Sequence, residues 1–250
     1  MELPTDFLSY VAIGIAAQLI DGALGMAYGV IASSLLLGLG LPPAVTSATV
    51  HAAECFTTGT SALSHRAFGN IDRALFRGLL LPAVLGAGTG AWLLASLDGD
   101  LLKPWVASYL LVLGVVIVAK GLRRAPTRRV TSRLAPLGYF GGLIDAAGGG
   151  GWGAMVSGNL LARGNEFRLT VGSVNAVEFF VTLTASIVFL LTLGLTHWSV
   201  IVGLAVGGIA AAPFGAWFVG RVRPQPMLVA VGLVVIALSV RTLVLHFGAP

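Results

Sequence analysis

Apolar segments of roughly 20 residues recur from one end of the chain to the other, and they restrict the possible folds more than any other feature. Of the 250 residues, 56% are apolar and only 10% are charged, whereas a soluble domain carries about a quarter charged residues. The mean hydropathy is +0.93. These values exclude a disordered chain, a collagen-like chain and an ordinary soluble enzyme. They predict an all-α polytopic protein of the cell membrane, surrounded by the lipid bilayer.

The remaining composition narrows the function classes. The single cysteine, Cys55, excludes an internal disulfide and any cysteine-based metal site, and we expect neither a metal nor a cofactor. The net charge of +5 belongs to the loops between apolar segments, so no nucleic-acid partner is expected. The first segment carries Glu2 and Asp6 and has no Lys or Arg before Arg66, so no cleaved targeting peptide is expected.

The sequence contains an internal duplication. A shift of 124 positions places Asp21 on Asp145, Glu54 on Glu178 and Thr58 on Thr182. Matched glycines arise easily by chance in such a chain, but matched acids do not. We therefore predict a first repeat over residues 1–119, a basic cytoplasmic linker over 120–133 and a second repeat over 134–250, all within one membrane domain.

Each half is predicted to contain two short apolar segments and then three that can each cross the membrane. The segments cover residues 7–20, 26–37, 44–65, 74–97 and 101–119 in the first half, and 134–144, 152–162, 169–193, 199–219 and 227–244 in the second. Each short segment is too short to span a hydrocarbon core of ~30 Å. Either each short pair is one broken helix, which makes the repeats parallel, or it is a re-entrant hairpin, which makes them inverted.

The charge of the loops favours the inverted arrangement, because Lys and Arg accumulate on the cytoplasmic side. The inverted arrangement places 13 of the 15 Lys and Arg residues there, and the parallel arrangement places 10 of 15. Both arrangements count Lys120 in the cytoplasmic linker and leave no Lys or Arg near the middle of the membrane.

Four acids lie inside apolar segments and form two repeat-related pairs: Asp21, Glu54, Asp145 and Glu178. A charge at the bilayer centre costs at least ~2.5–3.5 kcal/mol, so an intramembrane acid is a candidate functional residue. The alternative is a protonated carboxyl group that caps a helix or bridges two helices.

The two Glu residues lie on polar helix faces, which suggest a water-filled cavity rather than contact with lipid. The first face carries Ser47, His51, Glu54 and Thr58, and the second carries Val171, Asn175, Glu178 and Thr182. An isolated His51 could equally be a hydrogen-bonded histidine of the core. The candidate substrate contacts on the two faces are His51, Glu54, Thr58, Asn175, Glu178 and Thr182.

A glycine-rich interruption follows each intramembrane Asp. The candidate binding residues there are Gly22, Gly25 and Tyr28 in the first half, and Gly148, Gly149, Gly150, Gly151 and Trp152 in the second. Small residues also serve helix packing, but irregular backbone at membrane depth is tolerated where it lines a cavity. The helix after each interruption would direct its N–H groups and positive dipole end at it, forming an anion site without a cation. Interrupted segments at matching places in two halves indicate a transporter's binding site.

Two motifs carry a resemblance to a known family. Residues 142–151 read Gly-Leu-Ile-Asp-Ala-Ala-Gly-Gly-Gly-Gly, with a weaker copy at 19–25, and residues 172–180 have a copy at 48–56. With this spacing the chain resembles the TauE/SafE family of sulfite exporters, also called the sulfonate uptake permease family. The resemblance implies movement of small sulfur-containing oxyanions, such as sulfite or organosulfonates, across the cytoplasmic membrane.

The leading hypothesis is a secondary transporter that exports such an anion, driven by the inside-negative voltage without a proton partner. The alternative is a proton- or sodium-coupled importer in which Glu54 and Glu178 bind the ion. An intramembrane aspartyl protease using Asp21 and Asp145 is disfavoured, because neither residue follows a Gly-x-Gly sequence. We therefore expect no enzymatic activity, and the sequence leaves the oligomeric state open.

Overall fold

The computed structural model describes residues 4–122, 133–221 and 223–247. Over these ranges the protein is built of helices, without strands. They are α1 (Pro4–Leu24), α2 (Tyr28–Gly38), α3 (Pro43–Ala67), α4 (Arg73–Ala95), α5 (Gly99–Leu122), α6 (Leu134–Gly148), α7 (Trp152–Ala162), α8 (Phe167–Thr192), α9 (Trp198–Phe218) and α10 (Pro224–Phe247). Most of the predicted linker, residues 123–132, lies outside the described residues.

Six helices, α1, α4, α5, α8, α9 and α10, are long and apolar enough to cross a membrane. The chain is therefore a multi-pass protein of the cell membrane. Helix α3, with 25 residues, is also long enough, but its polar stripe lowers its hydropathy. That stripe is buried inside the protein, whereas Phe56 and Leu63 of the same helix are exposed.

Helices α1 and α6 are longer than the sequence predicted. Both were expected to end just before their acids, at residues 20 and 144, but they continue to Leu24 and Gly148. The prediction that the first segment is too short to span the membrane was wrong, since α1 has 21 residues. The physical reason is that Asp21 and Asp145 are buried in protein, so neither carboxyl group has to leave the helix to avoid lipid.

The assignment of Lys120 to the linker also needs correction. Helix α5 continues through Lys120 to Leu122, and the half-buried ammonium group donates a hydrogen bond to the Ala154 carbonyl of α7 at 2.5 Å. Gly158 makes room for this side chain, because a Cβ at that position would overlap it. Lys120 therefore connects α5 to α7 inside the protein instead of lying in the linker.

The two halves interlock through their repeat-related helices. Helix α1 packs along α9 of the other half, and its counterpart α6 packs along α4, whereas α3 packs on its own counterpart α8 and α5 on α10. Glycines allow the close approach: a Cβ at Gly90 would overlap the Leu143 backbone, and one at Gly207 would overlap the Val11 carbonyl.

Equivalent helices run in opposite directions. Along α3 the successive residues His51, Thr58 and Ser61 contact α8 at positions 189, 182 and 175, so the numbering rises on one helix as it falls on the other. Helices α5 and α10 are likewise antiparallel, because Gly114 lies against residues 232 and 236, and Gly121 against residues 225–229.

The two interruptions meet between the halves. We call residues 25–27 the first break and residues 149–151 the second break. A Cβ at Gly150 would come within 2.6 Å of the Val30 nitrogen, and Gly153 lies against the Gly25 carbonyl. Gly150 has φ +140, a conformation that residues with side chains rarely adopt. The glycines of the second break thus permit direct backbone contact between the two halves.

Candidate functional site

The four predicted acids are brought together where the two breaks meet helices α3 and α8. Their side chains are 1–5% exposed. Glu54 interacts electrostatically with Asp21 and Asp145, and Glu178 interacts with all three of the other acids. Four carboxyl groups in such a volume cannot all be charged without compensation. The arrangement therefore marks a site whose charge depends on what is bound there.

Asp145 is held by two partners. Its Oδ2 lies 3.1 Å from Nε2 of His51, and its Oδ1 accepts a hydrogen bond of 2.7 Å from the backbone N–H of Trp152, the first residue of α7. His51 Nδ1 donates to the Ser47 carbonyl at 2.8 Å, because a carbonyl can only accept. The contact between His51 and Asp145 therefore contains one shared proton, and the pair is neutral overall.

The backbone of the second break is held by side chains from three helices. Ser33 of α2 donates to the Gly149 carbonyl, Ser47 of α3 donates to the Ala146 carbonyl at 2.7 Å, and Tyr109 of α5 donates to the Gly150 carbonyl at 3.1 Å. Polar groups exposed by the irregular backbone are thus satisfied within the protein, as the membrane interior requires.

The first break lacks these partners. Both carboxyl oxygens of Asp21 are buried without a hydrogen-bond partner, although the Tyr28 N–H at the start of α2 faces this group. The positions equivalent to Ser33, Ser47 and Tyr109 are Ser157, whose hydroxyl is buried and unpartnered, and the apolar residues Val171 and Val234.

Asn175, the counterpart of His51, does not pair with Asp21. Its Oδ1 accepts a hydrogen bond of 2.9 Å from Ser61, and its Nδ2 donates to the Val171 carbonyl at 3.3 Å. The predicted residues Thr58 and Thr182 meet across the interface of the two halves, with their hydroxyl oxygens 3.2 Å apart. Both polar faces therefore point at the same interior region.

The N–H groups at the starts of α2 and α7 already face carboxyl groups. Trp152 donates to Asp145, whereas Glu54 lies at the Gly29 N–H and within 3.1 Å of a Cβ built on Gly29. The predicted anion sites are thus occupied by the protein's own acids. An oxyanion can bind these helix ends when a carboxyl group moves aside or becomes neutral.

Several predicted binding residues have packing contacts instead. The hydroxyl of Tyr28 donates to the Leu204 carbonyl at 3.2 Å, and the indole N–H of Trp152 donates to the Val174 carbonyl at 3.1 Å. Gly22 lies against Gly215, and Gly148 lies against the ring of Tyr109. These positions hold the helices around the site.

The polar stripe of α3 is longer than the sequence analysis recognised. Ser61 and His65 continue it at the same alternating spacing of three and four, and this spacing was the signal that could have identified them. His65 is fully buried, its Nε2 has no hydrogen-bond partner, and it faces the backbone of Gly22. Gln18, one turn before Asp21, is also buried with both polar atoms unpartnered.

The donor set gives no sign of a metal centre. Within the described ranges, no group of three or more His, Cys, Asp or Glu side chains is arranged to hold a metal ion. The chemistry available at the site is hydrogen bonding from helix N-termini and side chains, together with protonation of the buried carboxyl groups.

Buried acids at the junction of two interrupted helix pairs, inside a polytopic helical membrane protein, define a membrane transporter. The chain belongs to the sulfite exporter TauE/SafE family, whose model matches residues 10–242. It is 43% identical over 244 residues to the probable membrane transporter protein YtnM of Bacillus subtilis (strain 168), covering 93% of this chain and 81% of that protein. No solved structure matches the chain.

Proposed function

We propose that the protein is a secondary transporter for a small sulfur-containing oxyanion, such as sulfite or an organosulfonate. The observation that carries the proposal is the convergence of two helix N-termini, α2 and α7, on one buried cluster of acids between the halves. Helix N-termini favour anions through their free N–H groups and dipole. The family name supplies the sulfur chemistry.

In this proposal the oxyanion accepts hydrogen bonds from the N–H groups of Tyr28 and Gly29 in one half and Gly153 in the other. The hydroxyl groups of Thr58 and Thr182 lie on the two polar faces that border the same region. Glu54 and Glu178 support binding in their protonated form, because a neutral carboxyl group donates a hydrogen bond to an oxyanion, whereas a carboxylate repels it.

We also propose that the halves are inverted repeats within the membrane. Antiparallel packing of α3 on α8 supports this topology. It is tested with Cys55 replaced and single cysteines at Leu97 and Arg221, which lie in repeat-related loops. Inverted repeats label from opposite faces of the membrane, and labelling from the same face rejects the arrangement.

The direction of transport follows from the coupling. Moving one charge across the membrane changes its free energy by about 2.3 kcal/mol per 100 mV. For a monoanion in a cell with a negative interior, this free energy corresponds to roughly a 50-fold higher concentration outside at equilibrium. A proton that accompanies a monoanion cancels this bias and favours uptake instead. Export by voltage alone is the simpler case, and uptake with a proton is the second candidate, favoured by the cluster of acids.

The test is flux through the purified protein in proteoliposomes, with sulfite, methanesulfonate, sulfate and chloride as separate probes. We expect sulfite or methanesulfonate to exchange across the membrane at least tenfold faster than chloride, because the site offers several donors to one multi-oxygen anion. Peptide cleavage by the same preparation is the control for protease activity. Equal flux of all four anions, or none, rejects the proposal.

A further inference from the structure

We propose that the anion first binds at the N-terminus of α2, and that Asp21 takes up one proton when the anion binds there. This inference rests on the anion transport proposed above. It deepens the second candidate above, in which anion and proton move together, by assigning a coupling residue and a loading position.

The first observation is the buried carboxyl group of Asp21. It is 1% exposed, and neither oxygen has a hydrogen-bond partner in the part of the chain that the structure describes. Buried polar groups are almost always hydrogen-bonded, so an exception calls for a ligand or a functional role. The neighbouring Gln18 and His65 also leave buried polar atoms unpartnered, which makes the end of α1 the place where partners are missing.

The second observation is the position of Asp21 beside a helix start. The N–H of Tyr28, the first residue of the 11-residue helix α2, faces this carboxyl group without forming a hydrogen bond of normal geometry. Gly29, the next residue, faces Glu54. An oxyanion at this helix start would therefore accept hydrogen bonds from the two N–H groups that the acids now face.

The second break is not equivalent. Asp145 accepts the Trp152 N–H at 2.7 Å and contacts His51 at 3.1 Å. An anion that takes this N–H must first separate it from Oδ1 of Asp145, while His51 holds the other oxygen of the same carboxyl group in place. Loading at α2 requires no such separation, because Asn175 stands where His51 would be and bonds Ser61 instead.

Among the residues that the structure describes, the ionisable groups around Asp21 include no fixed cation. Helix α9, which packs along α1, contributes no ionisable residue. The groups contributed by the other helices are Tyr28 from α2, Glu54 and His65 from α3, Asp145 from α6 and Glu178 from α8. His51 is already paired with Asp145. An anion that arrives beside an ionised Asp21 is therefore repelled, and a proton on Asp21 removes this repulsion.

The proposed transport step moves one proton and one anion. A proton passes from water to a carboxylate oxygen of Asp21, and the oxyanion accepts hydrogen bonds from the N–H groups of Tyr28 and Gly29. A monoanion and the proton then cross as a neutral pair, and both return to water on the other side. Because each one favours binding of the other, the coupling is reciprocal.

The experiment measures protons and anions together. Proteoliposomes with the purified protein contain a pH dye, and flux is started with sulfite or with methanesulfonate, which is too strong an acid to carry a proton itself. We expect one proton per methanesulfonate, and an imposed difference of one pH unit to accumulate this anion about tenfold. Asp21→Asn should transport without proton movement and lose the accumulation.

Two further variants separate coupling from structure. Asp21→Glu keeps a carboxyl group and should keep a proton-to-anion ratio near one. Asn175→His offers Asp21 the ring that Asp145 has, and should lower the ratio as Asp21→Asn does. Stabilisation of the wild-type protein by methanesulfonate against heat should increase as the pH falls, and the Asp21→Asn variant should lose this dependence.

Three outcomes would contradict proton coupling at Asp21. Methanesulfonate flux without protons in the wild-type protein, or flux that depends on sodium without proton movement, overturns it and leaves anion transport standing. An unchanged ratio in Asp21→Asn also overturns it. Absence of flux for every anion rejects the transport function as well.

Discussion

The two breaks of this protein lie at matching places in its two halves, but their surroundings differ. The second break has a paired acid, Asp145 with His51, and three side-chain donors to its backbone. Among the described residues, the first break has an unpartnered acid, Asp21, and one counterpart of those donors, Ser157, whose hydroxyl is buried and makes no hydrogen bond. Matching helix breaks and matching acids therefore do not give matching hydrogen bonds, because a few side chains on neighbouring helices decide which polar groups find a partner.

The largest effect is expected from removal of the histidine. His51→Ala leaves Asp145 buried without its partner and should destabilise the protein by about 3–5 kcal/mol, because breaking a buried pair exposes an uncompensated charge. The matched variant Asn175→Ala removes one neutral hydrogen bond and should cost about 0.5–1.5 kcal/mol. Unfolding of the purified variants by heat or denaturant measures the difference.

The double variant His51→Ala with Asp145→Asn controls for general loss of packing. It should recover most of the lost stability, since the unpaired acid is gone. Equal costs for His51→Ala and Asn175→Ala would contradict the view that the two breaks differ in this pairing.

The second effect concerns backbone conformation. Gly150→Ala should destabilise the protein by about 1–3 kcal/mol, because φ is +140 and the new Cβ would meet the backbone of Gly29 and Val30 at the start of α2. In the first break Ala27 already has φ 116, so Ala27→Gly should be neutral or stabilising by up to about 1 kcal/mol. Unfolding measurements compare the two, and a larger cost for Ala27→Gly would contradict this difference.

A third prediction compares the two Glu residues in transport. Glu54 faces the Gly29 N–H at the open helix start, and Oε2 of Glu178 is buried and unpartnered. Both Glu54→Gln and Glu178→Gln should lower flux while the protein remains folded. We expect about a tenfold loss for Glu54→Gln, equivalent to about 1.4 kcal/mol, and a smaller loss for Glu178→Gln. Wild-type flux in both would leave these residues with a structural role.

The smallest effect is expected for Tyr109. Tyr109→Phe removes the hydroxyl that donates to the Gly150 carbonyl at 3.1 Å, and it should cost about 0.5–1.5 kcal/mol. The equivalent residue of the second half, Val234, has no hydroxyl group, so the first break has no matching bond. A Tyr109→Phe variant with unchanged stability would show that the second break does not need this donor.

Much of the site was predictable from the sequence, and its gaps have physical causes. The acids at Asp21, Glu54, Asp145 and Glu178 stand out because charge is rare in an apolar chain, and the structure brings them together. The ends of α1 and α6 were predicted too early, because a charged residue at the end of an apolar segment indicates a helix boundary unless its burial is known. Lys120 was placed in the linker for the same reason.

The sequence by itself determined the membrane setting, the polar helix faces and the presence of an interruption after each intramembrane Asp, because these follow from composition and local periodicity. Only the tertiary structure decided which acid has a partner. His51 lies on the same helix face as Glu54, three residues away, but it contacts Asp145, 94 residues further along the chain. Such a contact depends on how α3 and α6 pack against each other, and local pattern carries no information about that distance.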